Sequence, residues 1–553
     1  MIHDLAIRGG TLIDGTGAPG VPADIGISRG VVAEIASTVR GRHEMDASGR
    51  LVAPGFIDIH THYDPQVLWD PELAASALHG VTTVVAGNCG FSIAPVSPAG
   101  RHVLVGTLDK VEDMNSTTLD AGIVWDFETY PEYLAAVARR GPAINFGGFV
   151  GHTAVRLYVM GEASYERAAT EAEIDAMKDV IAASIRGGAL GFSTDRAGFI
   201  LGYQGRPIPS MVATQEETEA LLRVTAEIGQ GIVHVAPGED YLWIFDFQRS
   251  LGRTLNYSAI LTYPENSTRI SSAAKMEALR QARAAGGDIW GQVTCRPITQ
   301  LISLLDPYSF SYIPAFAEVI GAPRSERGRF YADATWRGRV KAELAAGNLL
   351  KPRWHLIKVA ESNAYAGLIG RSLEDLAAER GVMPFDAMCD IALADNLATR
   401  FSVTFANDNE KGVADLLLGD GCIMGLSDAG AHVAQICDAV LPTDFLAHWV
   451  RDRGIMSVEA GIHKLTGELG QVLGVDRGRL CVGAPADIVV LDLANLAVGP
   501  IRRVTDMPAG GERLIADRPS GIAHVVVNGV PVCRDGAMVA NARPGAIVTS
   551  PPS

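Results

Sequence analysis

The chain is poor in cysteine for its length: seven in 553 residues, at 89, 295, 389, 422, 437, 481 and 533, with no Cys-x-x-Cys pair. An odd, scattered set excludes a disulfide framework and a zinc ribbon, and a reducing compartment accommodates it most simply. Long apolar runs are missing as well. The first residues, Met1-Ile-His-Asp-Leu-Ala-Ile-Arg8, carry acid and base where a signal peptide needs a hydrophobic stretch, and no later segment is apolar enough to span a bilayer. These absences predict a cytoplasmic protein without a membrane partner. Clusters of positive charge are also lacking. Lys and Arg number 47 against 63 Asp and Glu, a net charge of -16, with nothing arranged to track phosphates, so nucleic acid is excluded and a small-molecule substrate is expected.

What is present is a large apolar fraction, 48%, with 60 glycines, which suits an α/β protein with many tight strand-to-helix turns. Residues 1–53 read as short alternating strands (Leu5 and Ile7, then Ile25 and Ile27), and the same texture returns in Ala486–Asp492 and Ile522–Val527. Asn528-Gly529 predicts a type I′ hairpin. The two ends are therefore expected to build one small β domain, 1–53 with 478–545. Between them, 54–477 alternates strands with amphipathic helices, as parallel βα units do. Thr170-Glu-Ala-Glu173 reads as a capping box opening a helix, and Thr214-Gln-Glu-Glu217 opens another. Strands are expected near His60 and over 83–86, 189–193, 231–235, 255–261, 354–359 and 422–426, enough for an eightfold barrel. The Pro- and aromatic-rich interval at about 296–350 breaks the pattern and is read as an insertion over the barrel mouth.

The chemistry is concentrated at strand ends. In Phe56-Ile-Asp-Ile-His60-Thr-His62, side chains two apart on an extended chain share a side, so the two imidazoles can converge on one point. Cys89 follows Thr83-Val-Val-Ala-Gly-Asn, His234 lies in Ile232-Val-His-Val, and Asp428 lies in Gly425-Leu-Ser-Asp-Ala-Gly-Ala-His432. In a parallel barrel such ends share one mouth. Each has a plainer reading: Cys89 as a small buried hydrophobe, His234 as a packed core residue, Asp428 as a helix cap beside Ser427. The glycines around Asp428 leave room for a substrate.

These stretches, with Asp4–Gly17, Ala53–His62, Gly87-Asn-Cys-Gly90, Gly151-His152, Gly425-Leu-Ser-Asp428, Glu361-Ser-Asn, Gly370–Ala377 and Asp476–Asp487, resemble the amidohydrolase superfamily, and within it most closely the N-acyl-D-amino-acid deacylases. The resemblance spans nearly the whole chain. It implies a (β/α)8 barrel with a composite β-sandwich, a divalent metal (usually zinc), and hydrolysis of a non-peptide amide bond. It also implies metal-site roles for His60, His62, Cys89, His234 and Asp428, with Asp428 as proton carrier.

Two departures bear on substrate and metal. Where the deacylases carry Ser-His-x-Lys, this chain reads Ser258-Ala-Ile-Leu261, and where they carry His-x-Arg it reads His234-Val-Ala236. A metal histidine and two carboxylate-binding cations are thus replaced, and no carboxylated lysine can be assigned to the fourth strand. Three protein ligands and a water suffice for catalytic zinc, so His60, His62, His234 and Asp428 predict a one-ion site, while a site built on Cys89 and His234 would be a ligand short. An unpartnered carboxylate is costly to bury, which predicts a neutral or apolar amide as substrate in preference to a free N-acyl amino acid. His152 and His432 are candidates for oxyanion or leaving-group contacts, and Arg156 and Arg196 for a substrate carboxylate. Two rival readings stand beside this one: a cyclic-amide hydrolase or heterocycle deaminase, and a metal-free binding or scaffold protein motivated by Ala259. A homo-oligomer is compatible with all of them.

Overall fold

The computed structural model describes residues 2–550 apart from 199, 239–241, 265, 266, 268, 308, 309, 311, 312 and 347–351. Its centre is an eight-stranded parallel sheet: β1 (Phe56–Asp58), β2 (Val81–Ala86), β3 (Asn145–Gly151), β4 (Gly191–Asp195), β5 (Ile232–Ala236), β6 (Leu255–Tyr257), β7 (Ile289–Val293) and β8 (Cys422–Met424), neighbours in chain order. Strands β2 to β5 are buried along their whole length, as parallel strands covered on both faces must be. The barrel closes between β8 and β1 through the segments that follow them. His62 N–H donates to the Ala429 carbonyl at 2.7 Å, and Ser427 Oγ donates to Asp58 Oδ2 at 2.6 Å. The seam is thus made by the same two segments that carry His60, His62 and Asp428.

Sequence pattern alone misses β3 and β7. In Asn145-Phe-Gly-Gly-Phe-Val-Gly151 the glycines read as a turn, yet each is required by its neighbours: a Cβ at 147 would lie 2.6 Å from Leu190, at 148 2.6 Å from Tyr130 Oη, and at 151 2.7 Å from the Gly90 carbonyl. The helices obey their start signals. Thr170 caps Glu171–Arg186 and Glu173 reaches back to the Thr170 N–H at 2.8 Å, a complete capping box. Thr214 also caps its helix, Gln215–Leu222, but Glu217 turns away from the cap toward Arg156.

The segment outside the barrel is longer than 296–350. Strands Ile298–Ser303, Lys358–Glu361 and Arg400–Ala406 form an antiparallel sheet, with helices between them, around a separate core that includes Phe316, Trp336, Phe385 and Phe401. The strand expected over 354–359 belongs to this unit and not to the barrel, because its apolar face packs on the second core. Of the stretch 306–314, residues 308, 309, 311 and 312 lie outside the described residues. Of two further sheets, one is built by N-terminal strands within 2–46 and the other joins the chain ends, with Leu51–Pro54 pairing antiparallel with Ile488–Leu491, and residues of both ends share a core. Asn528 and Gly529 have φ of 46° and 79°, as a type I′ turn requires. No helix among the described residues is long and apolar enough to cross a membrane.

Candidate metal centre

His60 and His62 follow β1, with ring centroids 5.4 Å apart, and both are buried. His60 Nε2 lies 3.3 Å from Asp428 Oδ1 and 3.4 Å from Cys89 Sγ. His62 Nε2 lies 4.0 Å from the same Asp428 oxygen. His234, on β5, stands with its ring centroid 5.4 Å from that of His60. Two donor groups result, His60/His62/Asp428 and His60/Cys89/His234, each with its ligand atoms within 4.8 Å of one another and with His60 in common.

A relay of amides sets the rings. His60 Nδ1 donates to Gln292 Oε1 at 2.5 Å, His234 Nδ1 donates to Asn256 Oδ1 at 2.7 Å, and Gln292 Nε2 donates to Asn256 Oδ1 at 2.8 Å. A carbonyl oxygen can only accept, so both Nδ1 atoms carry the proton and both Nε2 lone pairs face the donor group. Burial keeps the rings neutral: it pushes His60 down to about 4, His234 to about 3 and His62 well below its ordinary value. Burial acts oppositely on the acids. Asp428 rises to about 6, Asp58 and Asp64 to about 7, Asp195 to about 8, and Glu112 and the Cys89 thiol well above their usual ranges. Lone pairs that converge without a proton, ringed by acids that lack a counter-charge, fit a divalent cation.

The backbone is strained at the same place. Cys89 and Asp428 have φ of 53° and 48°, in the left-handed region that non-glycine residues avoid. Gly430 admits the close approach of the closing loop: a Cβ there would lie 2.6 Å from the His62 carbonyl. Asp428 caps no helix. Its side chain is 30% exposed, against 1% and 4% for His60 and His62, so it faces the mouth.

Other expected residues lie elsewhere. His152 is fully buried in the helical layer, its Nδ1 2.8 Å from Thr194 Oγ1 and its Nε2 3.5 Å from Glu217 Oε1, and it is not brought to the donor groups. Its partners lie on β4 and on the outer helix Gln215–Leu222, so the ring is turned away from the mouth. Arg156 is bonded to Glu217 and to the Arg167 carbonyl, and Arg196 to the Ala213 carbonyl at 2.8 Å, so neither is presented to a substrate there. His432 stays close: its ring acts electrostatically on His62, and its N–H donates to the Glu112 carbonyl at 2.6 Å. Sequence reasoning missed Gln292, Asn256, Glu112 (Oε1 3.4 Å from His62 Nδ1) and Ser258 (Oγ 3.4 Å from His234 Nε2). Asn256, a lone polar residue in the apolar run of β6, was the one readable signal.

Residues 43–533 match the amidohydrolase family. The chain is 29% identical to the D-aminoacylase of Alcaligenes xylosoxydans xylosoxydans over 541 residues, 97% of this chain and 95% of that one. It superposes on the N-acyl-D-glutamate deacylase of Bordetella bronchiseptica, solved with zinc and a phosphonate inhibitor, with a TM-score of 0.70 and 29% identity, covering 99% of this chain and 100% of that one. A D-aminoacylase structure described by its binuclear metal centre gives 0.68 and 26%, again over 99% and 100%. The chain belongs to the amidohydrolase family and is a metal-dependent hydrolase acting on carbon–nitrogen bonds other than peptide bonds.

Proposed function

We propose that the chain hydrolyses the amide bond of a small molecule with one divalent ion, zinc foremost, held by His60, His62, His234 and Asp428 with Cys89 beside them. The observation that carries this reading is the Gln292–Asn256 relay, which leaves the Nε2 atoms of His60 and His234 free of protons and facing the donor group. The D-aminoacylase centre is binuclear; here His60 is common to both donor groups and Ala259 removes a histidine from the expected pattern, which supports one ion.

When bound, such an ion supplies Lewis acidity to a carbonyl and makes water acidic enough to attack near neutral pH. Asp428 is suited to the proton traffic, being open to the mouth and raised to about 6 by burial. It takes the proton given up as water adds to the carbonyl carbon and returns it to the leaving nitrogen, which can then depart as a neutral amine. His432, beside His62, is the nearer of the two expected histidines for a contact to the oxyanion or leaving group.

Leu261 and Ala236 stand where the resemblance predicts cations, and Arg156 and Arg196 are engaged elsewhere. This favours a neutral or apolar amide over a free N-acyl amino acid. Seven cysteines without a disulfide fit the cytoplasm. Measuring kcat/KM for N-acyl-D-amino acids beside the amides and esters of the same acyl compounds tests the substrate reading: the carboxylate-free compounds should be preferred, and efficiency confined to the free acids would contradict it. Ammonia as product would point instead to the deaminase branch.

A further inference from the structure

Between the barrel mouth, the inserted sheet and the antiparallel pair of strands Ile501–Met507 and Gly511–Ala516 lies a cavity of about 310 Å³, at the small end of the range that takes ligands. It shares Gln66, Gly430 and Val433 with a smaller space that Asp428 itself lines. Six charged side chains line the cavity: Asp109, Asp113, Asp306, Glu512, Arg324 and Arg400. Both cations are already matched. Arg324 Nη2 lies 3.0 Å from Asp306 Oδ2, and Arg400 Nη2 lies 2.8 Å from Glu512 Oε2. Asp109 is paired with Lys110 at 2.8 Å.

Asp113 is different. Its Oδ2 accepts from Gln435 Nε2 at 2.7 Å, and among the described residues no cation forms an ion pair with it. Burial, with the neighbouring Asp306 and Asp109, pushes it up to about 7 against the opposing pull of the Gln435 hydrogen bond and of Arg400, which forms no ion pair with it. Gln435 is 4% exposed, and its Oε1 has no hydrogen-bond partner. Asp306 and Glu512 each have a second cation, Arg327 at 2.8 Å and Arg503 at 3.5 Å, so among the lining carboxylates Asp113 is the one without a direct ion pair, and an unmatched amide carbonyl lies beside it. Met114, Leu119, Leu301 and Leu305 supply walls for an alkyl chain.

We propose that this cavity receives the far end of the amide substrate, and that Asp113 with Gln435 selects an ammonium or guanidinium group there. The inference rests on the amide-hydrolase reading above; it keeps the missing carboxylate contact and replaces the neutral far end with a cation. A charged partner for a half-buried carboxylate is recognised by charge-assisted hydrogen bonds that a methyl group cannot make.

The test uses the full-length, metal-loaded enzyme and three acetamides on alkyl chains of similar length: N-acetyl-1,5-diaminopentane, N-acetylhexylamine and N-acetyl-6-aminohexanoate. The ammonium compound should exceed the methyl compound in kcat/KM by about 10- to 100-fold, and Asp113→Asn, which keeps an acceptor for Gln435, should collapse that ratio toward one. In parallel, n-pentylammonium should raise the melting temperature of the wild type more than n-pentanol does, and this difference should vanish in Asp113→Asn. Preference for the methyl or carboxylate compound, or a pentylammonium response that survives Asp113→Asn, would overturn the inference. The two readings fail separately. Protection by pentylammonium through Asp113 without hydrolysis of any amide would remove the hydrolase reading alone, whereas hydrolysis without cation preference would remove this inference alone. The wild-type substrate comparison holds whether or not the variant folds.

Discussion

Two buried clusters in this barrel join histidine to carboxylate, and they differ in whether their charges are matched. In the helical layer, His152 and Arg156 surround Glu217; burial pushes that carboxyl up, but the Arg156 hydrogen bond and the nearby His152, its Nε2 3.5 Å away, overcome it and hold it at about 2. At the mouth, His60, His62 and His234 are held neutral, while Asp428, Asp58, Asp64, Asp195 and Glu112 are all raised by burial. The first cluster contains its own cation. The second is arranged for a cation that the chain does not supply. Buried polarity by itself marks neither structure nor chemistry; an unmatched charge marks the site.

The contrast can be broken from either side. The largest effect is expected from His60→Ala, which removes the donor common to both groups: hydrolysis should fall by about a thousandfold or more with loss of bound metal, while the melting temperature of the metal-free protein stays nearly unchanged. Arg156→Ala should do the reverse, costing about 3–5 kcal/mol of stability by leaving Glu217 buried without its partner, with metal per folded chain preserved. Denaturant unfolding and metal analysis on one preparation check both. Gln292→Leu removes the acceptor that orients His60, and metal affinity should weaken by about 10- to 100-fold in a chelator titration. At the small end, Thr170→Ala breaks the capping box of Glu171–Arg186 and should cost about 1 kcal/mol in the same unfolding assay, leaving kcat/KM as it was.

Much of this was legible in the sequence, for identifiable reasons. His60-Thr-His62 was readable because extended backbone puts both rings on one side, and the β-domain because Asn528-Gly529 allows few turns other than the one it forms. Both helix starts were legible, the capping box at Thr170 and the opening at Thr214, but the bond of Glu217 to Arg156, on another element, was not. Strand β3 was hidden because its glycines answer to Leu190, Tyr130 and Gly90, which are distant in sequence. His152 drew attention as a polar residue after Gly151, but its ring lies against Thr194 and Glu217, a direction that depends on how β4 packs against Gln215–Leu222. Gln292 was invisible for a related reason, and Asn256 showed only as a polar residue in an apolar run: an amide becomes a ring-orienting group only when the barrel brings it within reach of a histidine.

The account stands most directly on metal content per chain, measured on protein purified without chelator, for the wild type, His60→Ala and His152→Ala. It predicts one divalent ion in the wild type, none in His60→Ala and one in folded His152→Ala. A wild type that hydrolyses amides with no ion bound, or a His60→Ala protein that keeps its ion, would contradict it.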